Sequence, residues 1–332
     1  MLNIYAYNRA NDIRNMYGGC MPKISREDVR VPLDVMPEFK DTYIDNFLAA
    51  TQNTGHLMLF ACDQKIEHLN ADFYGEGIAE DDLDPEHLFK IGGQGTIGVL
   101  AGQRGLIAMY AEDYPNINYL VKMNSKTNLV KTSQQDPYSA QLSSLGAVLD
   151  MRDAGVNVVG IGYTIYLGSE EESSMLAEAG ELIADAHANG LITVLWIYPR
   201  GKAVENEKDA DLIAGAAGVA LCLGSDFVKV NPPKDKDGKS SAELLAVASK
   251  ASGRCGLVCA GGSTVDAETF LTQLYEQIHT GGAVGNATGR NIHQRPLDEA
   301  VRLTQAISAI TFADYDPQEA LEIFEGKENF TL

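Results

Sequence analysis

The residue with the strongest chemical signal in this sequence is Lys229, in Asp226-Phe227-Val228-Lys229-Val230-Asn231-Pro232-Pro233. An apolar run of this kind reads as a buried parallel strand, and an ammonium group inside it is costly. Desolvation and a nearby cation both lower a lysine pKa, which supplies the neutral amine that attacks a carbonyl and forms an imine. On strand context alone, a lysine paired with a carboxylate or reaching out past the strand end is an equal alternative. Lys122, in Val121-Lys122-Met123-Asn124, stands in a similar run. It either depresses the pKa of Lys229 or forms a buried pair with Asp63 that orients the carboxylate.

Trp196 and Tyr198 stand two apart on an apolar run, so both side chains project to one face. A tyrosine there can carry a proton between a substrate hydroxyl and an imine or enamine; a buried aromatic with one satisfied hydroxyl is the plainer alternative. Gly261-Gly262-Ser263-Thr264 leads into a helical pattern, and Thr288-Gly289-Arg290-Asn291 follows a further apolar run. Glycine turns at such places present backbone amides to an anion such as phosphate, although each also serves as a plain tight turn.

These residues need a scaffold that gathers strand ends. From Leu57 onward, eight short apolar runs alternate with helix-patterned segments: Leu57–Cys62, Thr96–Leu100, Tyr119–Met123, Val156–Ile161, Ile192–Ile197, Phe227–Val230, Leu257–Cys259 and Ala283–Ala287. Near-continuous hydrophobicity fits strands buried on both faces, and eight of them predict an α/β chain closed into a (β/α)₈ TIM barrel. No Gly-rich dinucleotide fingerprint follows the first run, which disfavours an open doubly wound sheet. Helices are expected over 169–188 and 266–279, with acidic residues at their starts, and over 240–252, linking the runs at Phe227 and Leu257. In such a barrel function collects where strands end, and the polar residues there are Asp63, Lys122 with Asn124, Tyr163, Trp196 with Tyr198, Lys229, and the two glycine turns.

The expected organisation is an N-terminal helical extension over 1–55 with a helix at Phe39–Ala50, a barrel over 56–312, and a short C-terminal tail over 313–332 with a helix at Glu319–Phe324. Neither end carries catalytic residue patterns, and either can mediate contacts between copies of the chain.

The 332 residues carry a formal net charge of -20, which argues against nucleic acid or an anionic membrane surface as a partner. Five cysteines, at 20, 62, 222, 255 and 259, include three in apolar runs (Cys62, Cys222, Cys259), the pattern of reduced core thiols. Cys255 and Cys259 have no second Cys/His pair nearby, so no zinc site is expected. The start, Met-Leu-Asn-Ile-Tyr-Ala-Tyr, lacks the apolar core of a signal peptide, and no stretch approaches ~18 consecutive apolar residues. The expectation is a soluble, cytoplasmic protein.

From Leu57 to Ile310 the sequence resembles the archaeal-type class I fructose-1,6-bisphosphate aldolases and their longer bacterial relatives. The resemblance is carried by Asp63-Gln64-Lys65-Ile66-Glu67-His68, Val121-Lys122-Met123-Asn124, Thr164-Ile165-Tyr166-Leu167-Gly168-Ser169-Glu170, Leu195-Trp196-Ile197-Tyr198-Pro199-Arg200-Gly201, Val228-Lys229 and Gly289-Arg290-Asn291. It implies a homo-oligomeric lyase that cleaves fructose 1,6-bisphosphate reversibly to dihydroxyacetone phosphate and glyceraldehyde 3-phosphate, with no metal or other cofactor. It further implies that Lys229 forms the imine, that Tyr198 is the general acid/base, and that Asp63 assists carbinolamine and hydroxyl chemistry. Trp196 and Lys122 would shape the pocket, Gly261, Gly262, Ser263, Gly289 and Arg290 would hold the 1-phosphate, and Arg200 the distal phosphate. Three positions depart from the family's usual pattern: Gln64-Lys65 replaces His-Gly, Ala260 replaces a serine, and Asn231-Pro232-Pro233-Lys234 replaces Thr-Tyr after the lysine.

Overall fold

Side chains in Leu57–Ala61 alternate between two cores: Leu57, Leu59 and Ala61 belong to one, Met58 and Phe60 to the other. The run is continuously apolar because both faces of the strand are covered. The computed structural model, which describes residues 21–68, 72–130, 136–234 and 242–332, extends this arrangement into a closed barrel. Residues 1–20 of the expected extension, Cys20 and the expected helix start at Ser240 lie outside the described residues.

The described strands are β1 (Leu57–Ala61), β2 (Val99–Gln103), β3 (Tyr119–Lys122), β4 (Asn124–Ser125), β5 (Ala140–Gln141), β6 (Val158–Leu167), β7 (Ile192–Pro199), β8 (Phe227–Val230), β9 (Gly256–Ala260) and β10 (Gly285–Thr288). All but β4 and β5 are parallel neighbours in the closed order β1-β10-β9-β8-β7-β6-β3-β2, a (β/α)₈ barrel. The helices are α1 (Lys40–Ala50), α2 (Gln64–Glu67), α3 (Glu86–Gln94), α4 (Arg104–Tyr110), α5 (Leu145–Asp153), α6 (Glu172–Ala188), α7 (Ala210–Leu223), α8 (Ala242–Ala251), α9 (Ala267–His279), α10 (Arg290–His293), α11 (Leu297–Ala313) and α12 (Pro317–Phe324). Among the described residues no helix is long and apolar enough to cross a membrane.

The inner core is filled by inward positions such as Leu59, Val99, Leu120, Val194, Trp196, Phe227 and Val258. Helix α1 closes its lower end with Tyr43 and Ala50, and Phe47 stacks on Phe227 with ring centres 5.8 Å apart. Polar bonds fix that plug: the Tyr43 hydroxyl donates to Asp226 at 2.5 Å, and the buried His187 ring bridges Asp34 and Asp226 at 3.0 and 3.1 Å. Burial alone would lower the His187 pKa, but the two carboxylates outweigh it and raise it to about 9.

Several boundaries differ from the sequence expectation for local reasons. The second strand starts at Val99 rather than Thr96, because Thr96 is held in a loop by the Thr304 and Ser308 side chains. Strand β6 runs on to Leu167 rather than ending at Ile161, since its ladder with β7 continues to the Leu167–Pro199 pair. Helix α6 starts at Glu172, not Ser169, because the Glu172 carboxylate turns back to accept from the Gly168 amide at 2.6 Å. Asp266 is the N-cap of α9 rather than its first residue, and Asp316 forms a capping box with Glu319 that starts α12 at Pro317. Cys222 is exposed on α7 rather than a core thiol, whereas Cys62, Cys255 and Cys259 are buried.

Candidate functional site

The ladder between β7 and β8 puts Trp196 beside Lys229, and the ladder between β6 and β7 puts Thr164 beside Trp196 and Tyr166 beside Tyr198. Period-two alternation then aims all five side chains into one pocket at the C-terminal mouth of the barrel. Asp63, Gln64, Glu67 and His68 line it from the loop and short helix after β1, and Arg200 and Asn231 from the segments after β7 and β8. Ala260, Gly261, Gly262, Ala287, Gly289 and Arg290 complete it from β9 and β10.

Lys229 is 4% exposed. Burial lowers its pKa to about 8; Asp63 and Glu67 oppose that shift, while the charges of Lys122 and Arg290 add to it. A lysine so placed holds far more neutral amine near neutral pH than an ordinary lysine does, and that is the form that attacks a carbonyl. Lys122 does not line the pocket as expected of a substrate contact. It is buried beneath, donating to Thr164 Oγ1 at 2.6 Å and lying 3.6 Å from Asp63 Oδ2. Both alternatives drawn from the sequence therefore hold at once: Lys122 pairs with Asp63 and also lowers the Lys229 pKa.

The indole of Trp196 fills space that Gly162 leaves open on the neighbouring strand. A Cβ at position 162 would stand 2.3 Å from Trp196 Cζ3. Burial, followed by the Asp63 and Glu67 charges, pushes the Tyr198 hydroxyl well above the ordinary tyrosine range, so it rests as a neutral phenol and a proton donor. Arg200 lines the pocket, with its guanidinium 5.6 and 5.7 Å from the Tyr166 and Tyr198 ring centres. It is not a free cation, because Glu207 accepts two hydrogen bonds from it at 2.9 Å each.

Asn291 joins the two glycine turns, donating to the Gly261 and Ser263 carbonyls at 2.9 and 3.2 Å and accepting from the Val265 amide at 3.0 Å. Arg290 lies 3.6 Å from the buried Asp72. Ser263, expected among the phosphate ligands, is exposed and lies outside the pocket, since Asn291 draws its carbonyl inward. Tyr163 also leaves the mouth: it sits mid-strand and donates outward to Glu178 on α6 at 2.5 Å. Among the family departures, Lys65 turns away from the pocket to donate to the Asp82 and Leu83 carbonyls, both at 2.8 Å, whereas Gln64, Ala260 and Asn231 border the pocket.

Four pocket residues carry a buried polar atom without a hydrogen-bond partner among the described residues: Asp63 Oδ1, Gln64 Oε1, Trp196 Nε1 and Arg290 Nε. Each such atom costs about 1–3 kcal/mol unless something polar meets it. Their convergence on one cleft marks a polar ligand. Sequence reasoning gave no role to Thr164 or Tyr166, because it ended their strand too early; the Thr-x-Tyr alternation was the available signal.

A model of the DeoC/LacD family aldolases matches residues 57–295. The chain is 54% identical over 305 residues to the fructose-bisphosphate aldolase/6-deoxy-5-ketofructose 1-phosphate synthase of Methanocaldococcus jannaschii, covering 92% of this chain and 97% of that one. It superposes on the fructose-bisphosphate aldolase of Slackia heliotrinireducens with a TM-score of 0.91 and 72% identity, covering 94% of this chain and 98% of the other. An archaeal fructose-1,6-bisphosphate aldolase whose catalytic lysine is covalently bound to the carbinolamine intermediate superposes with a TM-score of 0.68 at 30% identity, over 81% and 98% of the two chains.

Proposed function

The chain belongs to the DeoC/LacD family of aldolases and to its archaeal-type class I branch, and from that premise we propose that it cleaves fructose 1,6-bisphosphate reversibly through an imine on Lys229. The observation that carries the assignment of the nucleophile is the buried Lys229 amine, with its pKa lowered to about 8, in the same pocket as Tyr198 and Asp63.

The Lys229 amine adds to the ketose carbonyl carbon, and Asp63 passes a proton from nitrogen to oxygen to give the neutral carbinolamine. Tyr198 starts as a phenol and protonates the departing hydroxyl, leaving water, an iminium ion and a tyrosinate. The tyrosinate takes the proton of the C4 hydroxyl as the C3–C4 bond breaks, and the bonding pair moves into the iminium to form an enamine. The aldehyde leaves. Tyr198 returns its proton to C3, water adds to the iminium, and the ketone is released with the amine restored. Backbone amides at Gly261, Gly262 and Gly289, together with Arg290, hold the 1-phosphate throughout. Borohydride added during turnover is expected to inactivate the protein only when a ketose phosphate is present. Inactivation that does not depend on the ketose would overturn the reading.

A second reading concerns the aldehyde half. Arg200, the expected ligand of the distal phosphate, is already paired with Glu207, which favours acceptance of an unphosphorylated aldehyde as well. The name of the 54% identical relative describes a product phosphorylated at position 1 and deoxy at position 6. Condensation of dihydroxyacetone phosphate with methylglyoxal, compared with glyceraldehyde 3-phosphate, tests it.

The protein is further proposed to act in the cytoplasm as a homo-oligomer. The buried thiols of Cys62, Cys255 and Cys259 suit a reducing compartment, and the exposed Leu212, Leu221 and Val247 on α7 and α8 suit contact with a second copy. Light scattering measures the latter.

A further inference from the structure

Gln64 follows Asp63 directly, opens α2 and lines the pocket. Its Oε1 is buried and accepts no hydrogen bond among the described residues. The side-chain amide lies against the backbone of Gly289, where a Cβ would stand 2.4 Å from Oε1 and 3.3 Å from Cδ. A side chain at position 289 would thus collide with the Gln64 amide, so glycine there keeps both the phosphate turn and the amide in place.

An amide oxygen is an acceptor, so its partner must be a donor. A phosphate dianion has no donor to offer; a hydroxyl has. Asp63 Oδ2 faces Lys122 at 3.6 Å, and the open Oδ1 of the same carboxylate serves the proton transfer at the carbinolamine proposed above, which leaves Gln64 Oε1 as the uncharged acceptor lining the pocket beside it. The following step rests on the aldolase reaction proposed above, with phosphate at the Gly261 and Gly289 turns and the carbonyl at Lys229. In that pose the first donor beyond the carbonyl is the hydroxyl on C3.

We propose that Gln64 Oε1 accepts a hydrogen bond from the C3 hydroxyl and so selects hydroxyketone phosphates over the matching deoxy ketones. A neutral acceptor suits this position because the C3–H bond must later re-form from the enamine, and a carboxylate there would compete for the proton. Gln64 is a specificity residue in this account, and Asp63, Tyr198 and Lys229 remain the catalytic ones.

The test compares two donor ketones that differ only in that hydroxyl, dihydroxyacetone phosphate and acetol phosphate, by the concentration dependence of borohydride trapping. The wild-type protein is expected to prefer dihydroxyacetone phosphate, and Gln64→Met or Gln64→Leu to reduce that preference by roughly tenfold or more. Both substitutions replace an unpartnered buried polar group with an apolar one, and a ratio of two ligands on the same sample cancels any loss of folded protein. An unchanged ratio in both variants, or an equal loss for both ketones, overturns the role of Gln64 and leaves the aldolase reading intact. Failure of the wild-type protein to trap either ketone overturns the aldolase reading itself.

Discussion

The Nζ atoms of Lys122 and Lys229 lie 4.9 and 5.4 Å from the ring centre of the same residue, Trp196. One lysine is buried beneath the pocket with a carboxylate partner, and the other opens into it. The indole's electron-rich face is attractive to each cation, while their mutual repulsion favours losing one proton. Burial first, and then the charge of Lys122, lower the Lys229 pKa to about 8, while Lys122 has both Asp63 and Thr164 as partners.

That arrangement sets a pH dependence. Imine formation requires neutral Lys229, so its rate should rise with pH through about 8 and then level off. Lys122→Met removes a charge that lowers the Lys229 pKa, and the rise should move to higher pH by on the order of one unit. Trapping rates measured across pH 6 to 10 check this, and a rise that stays in place or moves down contradicts the coupling.

Tyr198→Phe keeps the ring and removes the proton carrier. Cleavage should slow by about 10²–10⁴-fold, with a much smaller change in KM. Steady-state kinetics with a far-ultraviolet spectrum of the variant would separate lost chemistry from lost fold.

Gly162→Ala places a methyl group 2.3 and 2.8 Å from two atoms of the Trp196 indole. Overpacking of this kind costs about 1–3 kcal/mol. Since Trp196 is the single tryptophan of the chain, a shift in its emission would report the displacement directly, alongside a lower Tm.

At the other end of the barrel, His187 should make stability pH-dependent. Its pKa is raised to about 9, so its pairing with Asp34 and Asp226 contributes fully below about pH 6.5 and is lost as pH rises toward 9. Lys229 works in the opposite sense between about pH 8 and 10.5, because its folded-state pKa is depressed. The informative quantity is therefore the Tm difference between the wild-type protein and His187→Gln, expected to be larger at pH 6 than at pH 9.5.

Much of this molecule was legible before its structure. Strand-to-helix alternation from Leu57 onward carried the barrel, because strands buried on both faces leave unbroken apolar runs. Lys229, Trp196 and Tyr198 reach one pocket, as their places on adjacent runs required. Tertiary detail was less accessible. The Thr-x-Tyr alternation was the one local sign that β6 continues to Tyr166, and nothing local says that Glu207 engages Arg200 or that Asn291 ties the Gly261 turn to the Gly289 turn; both depend on partners remote in sequence or across a loop. The burial of Lys122 below rather than inside the pocket was likewise undecided, since strand position fixes the face of a side chain but not its depth.

The central claim is that Lys229 carries the substrate. The most direct measurement is peptide mass spectrometry after incubation with dihydroxyacetone phosphate and reduction by borohydride. The account predicts a single adduct, with the mass of the reduced ketose phosphate, on the peptide containing Lys229. An adduct on the Lys122 peptide, or none in a protein that still cleaves fructose 1,6-bisphosphate, would contradict it.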